Sequence, residues 1–466
     1  MKNIFPSTAL FFQILTLIIT SYYLILSFFG FSTKKITNAV QCKPQKKFAL
    51  IVAAHNEELV IAQIIESLKN IDYPKELYDI FVIADNCSDN TAIIAGSCGA
   101  KVFERNIPQK KGKGYALEWM FKKICRMNAK YDAAAVFDAD NLVSRNFLKE
   151  MNCRLCSGYR VVQGYIDSKN PIDSWITQSY SISFWTANRL FQLSRHNLGL
   201  SNQIGGTGFC VDMNTIKQIG WGTACLTEDL EFTCKLVLNG HKVGWAHKAV
   251  VYDEKPITLR QSWKQRKRWM QGFTDVASRF FFKLMKKAFK EHNFTALDCA
   301  LYTIQPFVTL LISFSALLTF IMTVSKNGFN INAVSSIISL PVLKAYDIFQ
   351  FLLIPFVLVL ENKLSKKMFT LFCAYSANIF ILNSLFKNYK GSFAYTWINL
   401  LCIIAFILFL SISDNKLSLK LFIWYLLYSL YTLTWIPIII EGILQKNNKE
   451  WEHTKHTRVL NIQDME

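Results

Sequence analysis

Charge is missing from much of the chain. Residues 3–33, 299–325, 368–386, 391–413 and 421–440 contain no Asp, Glu, Lys or Arg. Each run approaches or exceeds the roughly 20 apolar residues a helix needs to cross a bilayer, which excludes an ordinary soluble protein. Acidic residues are also few, 33 against 52 Lys and Arg, for a net charge of +19. Such a balance can mark nucleic-acid binding, but no zinc-finger or other nucleic-acid signature accompanies it, and no nucleic-acid partner is expected. Basic loops beside spanning helices, and a site for a diphosphate, account for the surplus. The twelve cysteines lack metal-ligand spacing. Cys153 and Cys156 form a lone C-x-x-C, read as two thiols in a reducing cytosol. A cleaved signal peptide is excluded as well, because the first uncharged run far exceeds the roughly 7–15 residues of a signal core and no small-x-small site follows.

What is present divides the chain into five parts: a spanning helix over 1–33, a cytosolic domain over 34–257, amphipathic interfacial helices over 258–296, a spanning bundle over 297–445 and a basic tail over 446–466. Lys34, Lys35, Lys43, Lys46 and Lys47 follow the first run and only Lys2 precedes it. The positive-inside rule then places the domain in the cytoplasm of a multi-pass plasma-membrane protein. Within 258–290, Trp269, Phe273, Val276, Phe280 and Leu284 recur at helical spacing among Lys and Arg, as in a helix lying flat on the inner leaflet. Four uncharged runs after residue 297 predict five spans in all. The short apolar run Ile348–Leu360 competes with 368–386 for a place in the interface.

Between residues 47 and 250, apolar runs alternate with helical patterns, which predicts a mostly parallel α/β sheet. Phe48–Ala53, Ile80–Ala84, Lys101–Phe103 and Ala133–Phe137 read as strands, with a helix over Glu57–Asn70. Three of the strands end in polar clusters: His55-Asn56-Glu57, Asp85-Asn86 and Asp138-Ala139-Asp140. Ligands of such sheets bind outside the carboxyl ends of the strands, so the clusters define one crevice.

Asp138 and Asp140, two apart at a strand end, can point to the same side. A hard ion such as Mg2+ or Mn2+ takes carboxylate and phosphate oxygens together. Asp85 and Glu57 can accept hydrogen bonds from a base and ribose, or cap the helices that follow. Lys111 and Lys113 sit among glycines, suited to phosphate or to a solvated loop. Thr227-Glu228-Asp229 opens a helix through Leu238. It reads equally as an N-cap with acids in the first turn or as a site whose base is Asp229. Gln265, Arg268 and Trp269 read as a juxtamembrane basic cluster or as the acceptor end of a site.

The order Asp85, Asp-x-Asp, Thr-Glu-Asp and Gln-x-x-Arg-Trp resembles the processive family 2 glycosyltransferases, the cellulose, chitin and hyaluronan synthases. The likeness covers residues 47 to about 275 closely and the membrane layout loosely. It implies a GT-A-like nucleotide-sugar-binding domain inserted between transmembrane helices, with Mg2+ or Mn2+ as cofactor. By that likeness Asp85 contacts uridine, Lys113 the diphosphate, Asp138 and Asp140 the nucleotide and metal, and Asp229 is the base. Arg268 would bind diphosphate, while Gln265 and Trp269 close the site at a channel mouth beside Glu228. Thr207-Gly208-Phe209-Cys210 stands at the family's acceptor segment and departs from its Cys-Gly-Ser pattern. Trp451–Arg458 looks like a cytosolic signature of some bacterial members, and the tail is too short for a cyclic di-GMP receptor domain. The expected enzyme is an inverting, processive β-glycosyltransferase that polymerises a UDP-sugar, UDP-glucose first, into an exported β-glucan on a growing polysaccharide acceptor. Transfer of one sugar to a lipid carrier, a poly-N-acetylglucosamine or hyaluronan product, and a non-catalytic transporter are the rival readings.

Overall fold

Phe48–Ala54 is apolar for its whole length, the composition of a strand buried on both faces. In a computed structural model this segment is β1, inside an eight-stranded sheet. The structure describes residues 4–33, 42–222, 225–324, 340–385, 393–413, 416–448 and 456–465. The other strands are β2 (Tyr78–Asp85), β3 (Lys101–Arg105), β4 (Ala133–Asp138), β5 (Leu142–Val143), β6 (Val161–Ser168), β7 (Phe209–Asp212) and β8 (Val243–Asp253). Their order is β3-β2-β1-β4-β7-β6-β8-β5.

The first four strands run parallel. Beyond them the sheet is mixed: β7 is antiparallel to β4 and β6, and β5 is antiparallel to β8. β6 and β8 pair in parallel, so the sheet expected to be mostly parallel is a mixed one, in which β3, β2, β1 and β4 form the one run of four parallel strands. β6 escaped that reading because Gln163 and Asp167, 0% and 4% exposed, interrupt its apolar run while lying fully inside.

Helices Ile61–Lys69 and Phe147–Cys156 cover one face of the sheet. Lys113–Arg126, Met213–Ile219 and Glu228–Leu238 cover the other. The helix expected from Glu57 begins only at Ile61, after a turn in which Val60 N donates to Glu57 O at 3.0 Å. Glu57 is thus outside the helix it was read as capping. Between β6 and β7 a helical run not read from the sequence covers Trp175–Leu198, with a π-helical turn at Asn188–Leu193.

Leu259–Lys290 is one 32-residue helix, opened by a reciprocal cap between Thr258 and Gln261. Part of its apolar stripe is buried within the protein. Val276, Phe280 and Leu284 pack against Leu230, Cys234 and Val237 and against Ala296 and Ala300. The stripe thereby joins helix Glu228–Leu238 of the sheet domain to Phe294–Thr303.

The span expected over 299–325 is bent: Phe294–Thr303 and Gln305–Leu318 meet at 62°. Ile304 breaks the run just before Pro306, a residue accommodated in a helix's first turn and not in its interior. Among the described residues two helices are long and apolar enough to cross a membrane, Leu10–Phe31 and Lys420–Leu444, and the bent pair makes a third candidate. The expected runs 368–386 and 391–413 fall largely within helices Lys366–Leu385 and Phe393–Ser413. Ile348–Leu360 belongs to a 21-residue helix, Leu340–Leu360. Lys34, Lys35 and tail residues 451–455 lie outside the described residues.

Candidate active site

Asn56 and Asn86 follow β1 and β2 with φ of +54° and +51°, a left-handed conformation that asparagine tolerates. The turns they make bring both strand ends to one cavity of about 760 Å³. Asp85, 6% exposed, pairs there with the guanidinium of Arg105 at the end of β3 and accepts from Asn86 Nδ2 at 2.8 Å. Burial still holds its carboxyl above the usual range. Asp85 therefore caps no helix.

Gly112, at φ +113°, turns the chain into the helix that Lys113 begins. The Lys113 ammonium pairs with Asp138 and donates to Gly206 O at 3.0 Å. Although burial opposes its charge, Asp138, Glu228 and Asp229 hold it above the ordinary lysine value. Thr207 stands behind Asp138, accepting from the Asp138 amide at 3.2 Å and donating to Asn141.

Asp140 is 3% exposed. Its Oδ2 accepts from Glu254 N at 3.0 Å and its Oδ1 from Asn141 Nδ2 at 3.3 Å. Burial first, then Asp253 and Asp138, push its carboxyl up to about 8. Glu57 Oε1 lies 2.9 Å from His456 Nδ1. Burial works against the imidazolium, but Asp140, Glu57 and Glu254 outweigh it and raise His456 to about 10.

Asp229 and Glu228 face the same cavity from the first turn of Glu228–Leu238. Thr227 precedes them without a side-chain capping bond. It packs instead where Gly272 of the long helix comes so close that an added Cβ would lie 2.4 Å from the Thr227 hydroxyl. Asp229 Oδ1 accepts from Leu230 N at 2.8 Å. Its Oδ2 is 3.4 Å from where a Cβ would sit on Gly206, the residue whose carbonyl holds Lys113. Asp229, Gly206, Lys113 and Asp138 thus form one chain of contacts. Burial raises both carboxyls, Asp229 to about 6 and Glu228 to about 7, against the pull of Lys113.

Gln265, Arg268 and Trp269 also line the cavity. Gln265 Oε1 accepts from Tyr180 OH at 2.8 Å, and the Trp269 ring meets Tyr180 edge-on at 6.0 Å. The neighbouring Arg266 does not reach the site. Fully buried, it lies over the rings of Tyr431 and Trp435.

Glu57, Asp85, Lys113, Asp138, Asp140, Thr207, Glu228, Asp229, Gln265, Arg268 and Trp269 all line this cavity, whereas Asn56, Asn86 and Gly208 do not. Gly208 belongs to the sheet's start, donating to Val136 O and accepting from Gly164 N at 2.9 and 2.8 Å. It stands outside the lining, with its backbone taken up by sheet pairing. Sequence reading missed Arg105, Tyr302, Glu254 and the role of His456. Only Arg105 carried a signal, since parallel register sets it opposite Asp85.

A sheet with acids gathered at its carboxyl edge and a cavity reaching apolar helices has the GT-A-like glycosyltransferase architecture. Residues 44–272 match the family described as "Glycosyltransferase like family 2". That region is an enzyme module of the hexosyltransferase class, so the transporter reading is set aside. The chain is 28% identical over 251 residues to a beta-monoglucosyldiacylglycerol synthase of Synechocystis sp., covering 51% of this chain and 50% of the relative. It is 27% identical over 280 residues to a poly-beta-1,6-N-acetyl-D-glucosamine synthase of Staphylococcus aureus, covering 57% and 65%. The match thus spans less than two thirds of either relative. In fold it is similar to a mannosyltransferase from Pyrobaculum calidifontis solved with GDP-mannose and Mn2+, with TM-score 0.51, 13% identity, and 94% and 99% of the two chains covered.

Proposed function

We propose that the chain is a membrane-bound, inverting, processive β-hexosyltransferase that draws sugar from a cytosolic UDP-sugar and passes the growing polysaccharide toward the bilayer. The cavity supports this most. Its lining includes Asp85, Lys113, Asp138 and Asp229 together with Trp269, Tyr302 and Tyr428, and with Tyr23 and Ser27 of the N-terminal helix. Asp85 accepts from the nucleoside, and Lys113 and Arg268 meet the diphosphate. Asp229 takes the proton from the acceptor hydroxyl as that oxygen attacks the anomeric carbon, and a single in-line attack inverts the centre. Burial first, and then the charge of Asp138, raises the basicity of Asp229. Thr207 fixes Asp138, while Gln265 and Trp269 frame the acceptor ring.

Asp138 and Asp140 suit a hard divalent cation. Both are carboxylates on the cavity wall, and burial, with Asp253 and Asp138 beside it, raises the proton affinity of Asp140. Among the described residues no three His, Cys, Asp or Glu side chains converge on one metal point, so the remaining oxygens would come from the diphosphate. Mg2+ or Mn2+ held there would neutralise charge on the departing nucleotide.

UDP-glucose and a β-glucan are the first donor and product to test, with UDP-N-acetylglucosamine beside them because one relative is a poly-N-acetylglucosamine synthase. The second reading is transfer of one sugar to a lipid, supported by the glucosyldiacylglycerol synthase relative and by the cavity's reach to apolar helices. Membranes carrying the protein, incubated with each labelled donor with and without EDTA, decide between them. Label is expected in an insoluble or high-mass polymer that linkage-specific glycanases degrade. Label confined to the chloroform-soluble fraction would replace polymerisation with lipid glycosylation.

A further inference from the structure

Gln163 is an amide in the middle of an apolar strand. Its neighbours Val161, Val162, Tyr165 and Ile166 are buried, and Gln163 itself is 0% exposed and absent from the cavity lining. A polar side chain in such a place costs stability unless its hydrogen bonds are made. Three of its four partners belong to one short stretch of chain. Nε2 donates to Gly164 O and to Thr207 O, both at 2.9 Å, with a longer contact of 3.3 Å to Gly208 O. Oε1 accepts from Gly205 N at 2.9 Å. Residues 205–207 lie outside any strand or helix, so the amide supplies hydrogen bonds that a neighbouring strand would otherwise give.

That stretch touches both sides of the reaction. Gly206, at φ +84°, holds a backbone conformation that other residues rarely adopt, and its carbonyl accepts from Lys113 Nζ at 3.0 Å. Thr207 Oγ1 accepts from Asp138 N at 3.2 Å. Toward the base, Ile204 N donates to Thr233 Oγ1 at 3.2 Å, and that hydroxyl donates to Asp229 O at 2.8 Å. Lys113, Asp138 and Asp229 stand on three separate elements: helix Lys113–Arg126, β4 and helix Glu228–Leu238. Residues 204–207 join all three.

We propose that Gln163 is a positioning residue for sugar transfer: by bracing residues 205–208 it fixes the spacing between Lys113 and Asp138 on the donor side and the base Asp229. The inference rests on the reading of Asp229 as that base. A base acts only within hydrogen-bond reach, and a misplacement of about 1 Å costs on the order of 100-fold in rate. Nucleoside binding is insulated from the brace. Asp85 and Arg105 stand on β2 and β3, with β1, β4 and β7 between them and the strand of Gln163.

Gln163→Met keeps the length of the side chain and suits its apolar surroundings, but removes the amide. The test uses the full chain in detergent. UDP-binding sites are counted by titration calorimetry, and turnover per site is read as UDP released from UDP-glucose and from UDP-N-acetylglucosamine, so that a loss of folded protein does not register. A fall in kcat of about tenfold is expected, with the Kd for UDP and the donor KM within twofold. Unchanged turnover per site would overturn the proposal, as would weakened UDP binding with kcat intact. Should Gln163→Met bind no UDP, Thr233→Val cuts the same brace at the base's end; it is expected to lower kcat alike, and unchanged turnover per site there would overturn the proposal. Asp229→Asn separates the two layers of the argument. If Asp229→Asn turns over normally, the reading of the base fails and carries this inference with it. If Asp229→Asn is crippled and Gln163→Met is not, the positioning role alone fails. Combined with Asp229→Asn, Gln163→Met should cost less than about threefold more, because no base remains to be placed; a full further tenfold would show that Gln163 acts elsewhere.

Discussion

Arg105 and Asp85 form an ion pair at the carboxyl ends of β3 and β2, with side chains only 2% and 9% exposed. Cutting that pair on one side leaves a carboxylate in a poorly solvated pocket. Arg105→Ala is expected to destabilise the domain by roughly 3–5 kcal/mol, the usual cost of orphaning one member of a buried pair. Its carboxyl, already held high by burial, would then favour its proton and bind the nucleoside less well. Thermal unfolding of the purified chain, with and without UDP, measures both effects. An unchanged midpoint together with unchanged UDP affinity would show that Arg105 supports neither.

Asp229→Asn keeps the size and one hydrogen-bond acceptor at its position but cannot take a proton. UDP binding should survive, because Lys113, Asp85 and Asp138 are untouched, while turnover falls roughly 100-fold or more. Titration calorimetry with UDP and release of UDP from a labelled donor give the two numbers. Turnover within a factor of two of the unaltered chain would remove Asp229 from its role.

The pH profile follows from the same pair of acids. Asp229 and Glu228 are raised to about 6 and about 7 by burial, and they titrate together. A base works only when ionised, so a raised carboxyl pKa means loss of activity as pH falls, beginning near neutrality. Below about pH 6, kcat/KM should drop roughly tenfold per pH unit. A profile flat down to pH 5 would contradict the enclosed setting of these carboxyls.

How far the sequence could be read depended on how far apart the interacting residues lie. β1, β2 and β4 were readable because each is a short apolar run leading into a polar cluster that holds an acid, a pattern contained within a few residues. β6 was not, since a buried Gln163 and Asp167 look like solvent-facing residues until tertiary partners satisfy them; Asp167 accepts from Trp185 Nε1 at 2.6 Å. Asp138, Asp140 and Asp229 announced themselves as local motifs. Arg105 did not, lying 20 residues from Asp85, and His456 lies 399 residues from Glu57. The stripe Val276, Phe280 and Leu284 had the correct period but the wrong partner, because periodicity marks a buried face without saying whether lipid or protein buries it.

Trp269 offers the most direct test of what lies at the acceptor end. Its ring is held by Tyr180 at 6.0 Å and Phe184 at 6.4 Å, and Tyr180 also fixes Gln265 through a 2.8 Å hydrogen bond. A flat aromatic wall beside a base suits the face of a sugar ring, and its loss should weaken acceptor binding roughly two- to tenfold, the scale of one aromatic contact. Each elongation step needs the acceptor to stay in place, so a small loss of affinity compounds along a polymer. Trp269→Ala should therefore shorten the product far more than it slows the first transfer, and Trp269→Phe should restore part of the length. Tyr180→Phe, which keeps the ring but frees Gln265, separates stacking from hydrogen bonding. Gel filtration of the labelled product, set beside the initial rate of UDP release, reads both. If Trp269→Ala made polymer of unaltered length, the aromatic wall would be packing for the helix Trp175–Ala187 and not a seat for the acceptor.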